Sequence, residues 1–252
     1  MDRVDLNCDM GEGATTDEEM LRYVTSANIA CGFHAGGPQI MRRTVQAAIV
    51  HGVAIGAHPG LPDRENFGRL AQTIPPDEAY EMVVYQVGAL AGFVRAANGG
   101  ARLIHVKPHG ALYNMAAVDG ELADAVARAV HAIDPGLVLV GLSGTELVRA
   151  GTQVGLATAS EGFADRSYQP DGRLTPRGQP DALVVDANVA VQQAISLVRD
   201  RCVRATDGSD VPVHAETICL HGDGAHAVEF ARAIRKGLAA AGITVAALAH
   251  PV

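Results

Sequence analysis

Clusters of acidic side chains next to glycine mark where chemistry could occur in this 252-residue sequence. The first cluster is DLNCDMGEG, residues 5–13, which places the carboxylates of Asp5, Asp9 and Glu12 close to the amide of Asn7. Carboxylates this dense suit general-base catalysis or the binding of a cation. The alternative is structural, with hydrogen-bonded acids inside a barrel and a solvated charge on a loop.

Histidines follow two short apolar segments. His34 lies in ANIACGFHAGG, residues 27–37, shortly before Pro38, and His58 lies in GAHPG, residues 56–60. An imidazole exchanges protons near neutral pH and binds metal ions, and the free N–H groups where a helix begins attract anions. We expect both histidines to be functional, although His34 taken alone could be a hydrogen-bonded core residue.

A lysine lies between two further histidines in IHVKPHG, residues 104–110. Because side chains alternate across a strand, His105 and Lys107 are expected on the same face, inside or outside the barrel. A lysine in the lumen must meet an anion, since an unpaired buried ammonium is costly. His109 follows at the end of the same segment.

Three more polar groups complete the pattern. Glu161 and Arg166 lie in the segment EGFADR, residues 161–166, and the segment CLHGDG, residues 219–224, contains His221 and Asp223. Arg64 follows a histidine-bearing strand end and could hold a carboxylate with two parallel hydrogen bonds. A loop ion pair with its acidic neighbours is an equally good interpretation of Arg64.

Short apolar segments that lead into these clusters predict strands. They span residues 4–6, 27–30, 53–57, 103–106, 137–141, 155–159, 217–220 and 243–248. Helix-like segments begin at Thr16 and Pro38 and span residues 75–98, 119–133, 144–150, 188–203 and 224–241. This alternation, with about eight strand–helix periods, predicts a parallel sheet covered by helices.

We expect one domain, residues 1–252, with an α/β fold, and prefer a closed or distorted β/α barrel over an open doubly wound sheet. A barrel gathers its functional loops at the carboxyl ends of its strands, where the polar clusters fall. Residues 59–76 and 162–186 break the rhythm, as functional loops often do. The second segment could also be a surface insertion.

Composition excludes several classes of function. The sequence has a formal net charge of −8, which argues against docking on nucleic acid or anionic lipid. No apolar run of signal-peptide or membrane-spanning length is present, so a cytoplasmic location is expected. No phosphate-loop, dinucleotide-binding, serine-elbow or zinc-helix motif occurs, so a nucleotide site would be unconventional or supplied by a partner.

The polar clusters, taken in order, resemble the LamB/YcsF family over nearly the whole chain. The matching segments are DLNCDMGEG, ANIACGFHAGG, GAHPGLPDRENFGR, VKPHGALYN, FADRSY with LTPR, and CLHGDG. The resemblance implies a distorted, TIM-like β/α barrel of the glycoside hydrolase/deacetylase type. It also implies ATP-coupled cleavage of 5-oxo-L-proline to L-glutamate, in concert with partner subunits B and C.

The resemblance also implies a catalytic group, made up of Asp9, Glu12, His34, Lys107, His109 and His221. One of the two carboxylates would activate the attacking water, and the lysine and the His34 loop would stabilise phosphate or oxyanion charge. One of the last two histidines would protonate the leaving nitrogen. The expected substrate-binding residues are Asp5, Asn7, His58, Arg64, Glu161, Arg166 and Asp223.

The sequence departs from the family pattern at Gly37, where aspartate is common, and at Gly60, where serine is common. Two other functions stay open. One is a metal-dependent deacetylase or amidohydrolase, in which Asp9, His34 and either His58 or His109 bind a divalent ion. The other is a non-catalytic subunit that captures a small anion. The sequence leaves open whether a divalent metal takes part, which chain binds ATP, and whether homo-oligomers form.

Overall fold

A computed structural model describes residues 2–97, 100–221 and 227–248. The strands are β1 (Arg3–Met10), β2 (Ser26–Ala30), β3 (Ala54–His58), β4 (Leu103–Val106), β5 (Val138–Leu142), β6 (Ala157–Phe163), β7 (Cys202–Arg204), β8 (Asp210–Pro212), β9 (Thr217–Leu220) and β10 (Thr244–Val245). The helices are α1 (Asp17–Met20), α2 (Pro38–His51), α3 (Pro76–Ala96), α4 (Gly110–Ala116), α5 (Gly120–Ile133), α6 (Glu146–Gln153), α7 (Ala187–Arg199) and α8 (Ala227–Ala240).

Seven parallel strands close into a barrel in the order β1-β2-β3-β4-β5-β6-β9, because β1 pairs with β2 on one side and β9 on the other. The preference for a barrel over an open sheet is confirmed. The last predicted strand does not join the ring: β10 pairs with Arg3 and Val4 only, and β9 takes over from Asp5 onward. The barrel therefore has one strand fewer than the number of predicted periods.

Side chains of β1 alternate between the hydrophobic core and the barrel lumen. Leu6, Cys8 and Met10 are fully buried and pack into the hydrophobic core. Each such apolar side chain contributes about 1.5–3 kcal/mol by leaving water. Asp5 and Asn7 have the opposite parity and point into the lumen, where they meet side chains of the other barrel strands.

The helices pack around the strands with recognisable start and stop signals. The carboxylate of Asp119 accepts hydrogen bonds from two N–H groups in the first turn of α5, and Gly52 ends α2 in the left-handed conformation with φ 67°. Extensive contacts join α3 to α5 and α7 to α8. None of the helices in the described residues combines the length and the hydropathy of a membrane span.

The segment 162–186 is a loop from residue 164 to residue 186, as predicted, and only its first two residues belong to a strand. Strand β6 continues through Phe163, so Glu161 lies inside the barrel rather than on a loop. The rest of the segment is anchored by buried Tyr168, whose hydroxyl accepts a hydrogen bond from the N–H of Phe163 at 2.7 Å. The antiparallel pair β7 and β8 and the short helix α4 were not predicted, since each is too short to show periodicity.

Candidate active site

A cavity of about 1200 Å³ opens at the carboxyl ends of the barrel strands. Its wall includes seven of the residues predicted from the sequence, namely Asp9, Glu12, His58, Lys107, His109, Arg166 and His221. They come from five separate strand ends, so the barrel brings together side chains that are far apart in the chain. The cavity is larger than a typical small-molecule pocket of about 300–1000 Å³.

Lys107 lines the cavity and contacts two carboxylates. Its ammonium nitrogen lies 2.8 Å from Oε1 of Glu161 and 3.1 Å from Oδ1 of Asp9. Its other contacts are Oδ1 of Asn7 and Sγ of Cys219, both at 3.1 Å. The lysine side chain is only 3% exposed, and the two carboxylates compensate its positive charge. The anion expected for this lysine is therefore supplied by the chain itself.

Asp9 is held as an oriented carboxylate. Oδ1 accepts a hydrogen bond from Nδ2 of Asn28 at 2.8 Å in addition to the one from Lys107, and Oδ2 lies 3.3 Å from Nε2 of His58. Burial would raise the pKa of Asp9, but the nearby charges of His58 and Lys107 outweigh it and hold that pKa well below its usual value. An ionised carboxylate at the cavity wall can act as a general base.

A layer behind the cavity wall supports these two residues. Glu161 is fully buried and accepts hydrogen bonds from Nδ2 of Asn7 at 3.0 Å and from the hydroxyl of Tyr113 at 2.7 Å. Nδ2 of Asn28 also donates to Oδ1 of Asn7 at 2.7 Å. Asn28 in turn presents its own Oδ1 to Nε2 of His105 at 2.6 Å. Neither Asn7 nor Glu161 lines the cavity. Both were expected to bind substrate, but here they hold Lys107 and each other in place.

Asp5 lies deeper still, at the level where β1 first pairs with β9. Its carboxylate accepts hydrogen bonds from the hydroxyls of Thr25, Ser26 and Thr217 at 2.7, 2.7 and 2.6 Å. Burial raises the pKa of Asp5 and outweighs the opposing effect of these hydroxyls. Asp5 therefore joins three strands or their flanks and does not line the cavity, in contrast to the expected role in substrate binding.

Three histidines surround the carboxylate of Glu12. Oε1 of Glu12 lies 2.8 Å from Nε2 of His34, 3.3 Å from Nδ1 of His109 and 3.7 Å from Nε2 of His58. Burial would raise the pKa of Glu12, but its contacts with His109 and His34 outweigh burial and lower that pKa to about 2. Burial lowers the pKa of His34 to about 4, so its ring is neutral at pH 7 and donates from Nε2. His34 is buried behind the wall.

An acidic partner orients the ring of His221. Nδ1 of His221 lies 2.6 Å from Oδ2 of Asp165, and the ring stacks on Phe163 with centroids 5.9 Å apart. Burial would raise the pKa of Asp165, but the electrostatic effect of His221 and its hydrogen bond outweigh it, and the pKa is lowered. Because Nδ1 is committed to Asp165, Nε2 is the ring nitrogen available to a ligand. Asp165 stood in a sequence cluster but not among the predicted site residues.

The two predicted arginines occupy different places. Arg166 lines the cavity. Its guanidinium donates to the carbonyl oxygens of Thr175 and Ala182 and so holds the segment 162–186 in place. Arg64 does not line the cavity: its guanidinium donates to the carbonyl oxygens of Gly32 and Gly36 at 2.6 and 2.8 Å. It therefore links two loops. Three other arginines line the cavity, namely Arg69, Arg173 and Arg177, and two of these, Arg69 and Arg177, lie in the quoted motifs.

The predicted site residue Asp223 lies outside the described residues. The supporting residues that were not among the predicted site residues are Asn28, His105, Tyr113, Asp165, Thr217 and Cys219. Most of them lie inside the quoted motifs. Strand parity already placed His105 on the same face as Lys107, and the same rule applied to β2 could have identified Asn28.

The sequence profile of the LamB/YcsF family matches residues 4–252. The chain is 58% identical to the 5-oxoprolinase A subunit of Bacillus subtilis (strain 168), over 99% of this chain and 98% of that protein. A crystal structure of a lactam utilization protein from Thermus thermophilus superposes with a TM-score of 0.90 at 45% identity, covering 98% of this chain and 100% of that one. A family 4 carbohydrate esterase from Streptomyces lividans gives a TM-score of 0.48 at 14% identity, over 98% and 93% of the two chains.

Proposed function

Because the chain belongs to the LamB/YcsF family, we propose that it is the A subunit of an ATP-dependent 5-oxoprolinase, which opens 5-oxo-L-proline to L-glutamate with partner subunits B and C. The name of the Bacillus subtilis relative supports the substrate and the subunit role. The observation that carries the proposal is the carboxylate of Asp9, which contacts Lys107 and His58 and lines one cavity together with His221.

In this reaction a water molecule attacks the lactam carbonyl carbon and the C–N bond breaks. Asp9 removes a proton from the water as it attacks, because its carboxylate is ionised and its orientation is fixed by two hydrogen bonds. His221, oriented by Asp165, donates a proton from Nε2 to the departing nitrogen. When ATP has phosphorylated the carbonyl oxygen, C–N cleavage leaves a free amine and an acyl phosphate. A second water hydrolyses the acyl phosphate, so ATP and two waters yield glutamate, ADP and inorganic phosphate, and atoms and charges balance.

Lys107 was expected to stabilise phosphate or oxyanion charge, but its contacts favour a different role. All its close contacts are with the protein, including two carboxylates, so its proposed role is to keep Asp9 ionised and in place. Stabilisation of the developing oxyanion or of phosphate is assigned instead to arginines that line the cavity, with Arg166 and Arg177 in suitable positions. The size of the cavity supports the binding of a phosphorylated lactam, which is larger than the lactam itself.

ATP supplies the driving force. An amide carbonyl is a poor electrophile and the five-membered ring closes readily, so phosphorylation of the amide oxygen would assist attack by water. The purified chain, mixed with candidate subunits B and C, 5-oxo-L-proline and ATP, should form glutamate and consume ATP together. The controls are mixtures that lack ATP or one of the three proteins. A complete mixture that forms no glutamate, with all three proteins folded and associated, rules out this function.

A second candidate is an amidohydrolase or deacetylase that needs a divalent metal and no ATP. The group formed by Glu12, His34, His58 and His109 favours it, since their ligand atoms lie within 4.8 Å of one another. The same mixtures distinguish the two functions. Amide hydrolysis by this chain alone, independent of ATP and abolished by a chelator, supports the second candidate.

A further inference from the structure

The hydrogen bonds of His58 and His109 fix which nitrogen of each ring carries a proton. Nδ1 of His58 lies 2.6 Å from the carbonyl oxygen of Lys107, and Nε2 of His109 lies 2.8 Å from the carbonyl oxygen of Phe67. A carbonyl oxygen can only accept, so both of these ring nitrogens must donate. In neutral rings, Nε2 of His58 and Nδ1 of His109 are then left as lone pairs.

These two lone pairs face each other. Nε2 of His58 and Nδ1 of His109 are 2.9 Å apart, and both lie close to Oε1 of Glu12, at 3.7 and 3.3 Å. Three electron-rich atoms at such distances repel one another unless a proton on one ring or a bound metal ion lies among them. The arrangement therefore requires positive charge between the two rings.

We propose that Glu12, His58 and His109 form the three-ligand site of a divalent first-row metal ion, with zinc the best match. Ligands about 2.0–2.1 Å from a tetrahedral ion lie about 3.3 Å from one another, in the middle of the three observed separations. Two imidazoles and a carboxylate are ligands that zinc uses in catalytic sites. All three residues line the cavity, so the fourth position faces the space where a water or substrate binds.

The backbone contacts of both rings support ligation. A histidine that binds a metal through one nitrogen usually donates from the other, which fixes the ring and raises its basicity. His58 and His109 do so to Lys107 and Phe67. Oδ2 of Asp9, 3.3 Å from Nε2 of His58, lies beside the site and can accept a proton from a metal-bound water.

His34 is excluded from the ligand set although it belongs to the same cluster. Its ring lies parallel to that of His109, with an interplanar angle of 2° and centroids 3.8 Å apart. Lone pairs in two stacked parallel planes cannot both point at one ion. Nδ1 of His34 is buried without a hydrogen-bond partner, and Nε2 lies 2.8 Å from Oε1 of Glu12. His34 therefore donates to the carboxylate ligand and orients it.

The test is metal binding by the untagged, chelator-treated full chain, without substrate, ATP or partners. Zn²⁺ is titrated by calorimetry and Co²⁺ by its visible absorption, and thermal unfolding is followed with each ion. We expect one ion per chain and a raised melting temperature. A wild-type chain that binds neither ion at a defined site overturns the proposal, whether or not the chain opens lactams with its partners.

Matched histidine variants test the choice of ligands. His58→Gln and His109→Gln should each weaken binding by more than the ~10–100-fold typical of supporting residues. His34→Gln keeps an N–H donor for Glu12 and should change affinity less than about tenfold, as should the exposed-site control His51→Gln. Circular dichroism establishes that each variant is folded, and Glu12→Gln replaces any ligand variant that is not. Equal loss in His34→Gln contradicts the three-ligand site.

Discussion

The ammonium of Lys107 lies between Oδ1 of Asp9, at 3.1 Å, and Oε1 of Glu161, at 2.8 Å. The lysine and Glu161 are buried, and the three residues come from β1, the end of β4 and β6. One cation thus neutralises two acids whose strands, β1 and β6, lie on either side of β9. Asp9 faces the cavity, whereas Glu161 faces the protein, so the same contact serves the proposed reaction on one side and the fold on the other.

Replacement of Lys107 by methionine should destabilise the protein as well as stop turnover. The variant leaves the buried carboxylate of Glu161 and the partly buried carboxylate of Asp9 without their cation, a change that costs about 3–5 kcal/mol in comparable buried pairs. Urea denaturation measures the loss as a change in the free energy of unfolding.

The double variant Lys107→Met with Glu161→Gln is the control for this prediction. Removing the charge of Glu161 together with that of Lys107 should restore part of the lost stability, because one uncompensated carboxylate is gone. Turnover should stay low in the double variant, since Asp9 still lacks its partner. Equal stability of wild type and Lys107→Met would show that the two carboxylates do not depend on the lysine.

Asp165→Asn should lower kcat with little change in KM. Asp165 touches the ring of His221 and does not line the cavity, so it acts by orienting that ring. We expect a loss of at least tenfold, within the ~10²–10⁴-fold that a positioned acid or base contributes. His221→Gln should be at least as impaired, and the double variant no worse than His221→Gln. An unchanged kcat in Asp165→Asn removes Asp165 from the mechanism.

The same variant should reveal a pH-dependent part of the stability. The pKa of Asp165 is lowered in the folded protein, so its ionised form is stabilised by folding. That contribution is present above the unfolded value, near 3.8, and is lost as the pH falls through the lower folded value. The difference in unfolding free energy between wild type and Asp165→Asn should therefore narrow from pH 6 to pH 3. A constant difference contradicts the lowered pKa.

Gly56→Ala should destabilise the barrel by about 1–3 kcal/mol. A Cβ at this position would lie 2.0 Å from Nε2 of His105, whose ring is buried and hydrogen-bonded to Asn28. The matched control is Gly92→Ala on an exposed position of α3, where a Cβ meets nothing within 4 Å. That change should stabilise the helix by about 0.5–1 kcal/mol. Thermal unfolding compares the pair, and equal effects would exclude a tight contact between Gly56 and His105.

Much of the barrel follows from the sequence because its strands are short apolar segments bounded by glycine and followed by amphipathic helices. Strand β2 was placed within one residue of its observed start, and β4 and β9 at their observed ends. The closure after seven strands could not be predicted, since it depends on β1 pairing with β9 and β10 at different heights. Local patterns do not contain that long-range register.

The sequence predicted which residues belong to the site better than it predicted how far each one lies from the cavity. The sequence clusters identified Asp9, Lys107 and His221, because polar residues at the carboxyl ends of parallel strands converge. They could not distinguish the cavity wall from the layer behind it, where Asp5 and Glu161 lie. That distinction depends on how far along each strand a residue falls. The hydrogen bonds of Arg64 to two loop carbonyls were equally invisible in the sequence.

General-base catalysis by Asp9 is tested most directly by comparing glutamate formation by wild type and Asp9→Asn, each with subunits B and C, 5-oxo-L-proline and ATP. Asparagine has the shape of aspartate and can still accept from Asn28 and donate to His58, so association with the partners serves as the control for folding. We expect kcat to fall by ~10²-fold or more, as for a lost general base. Turnover by Asp9→Asn equal to that of wild type would refute this role and indicate a protein that only binds the substrate.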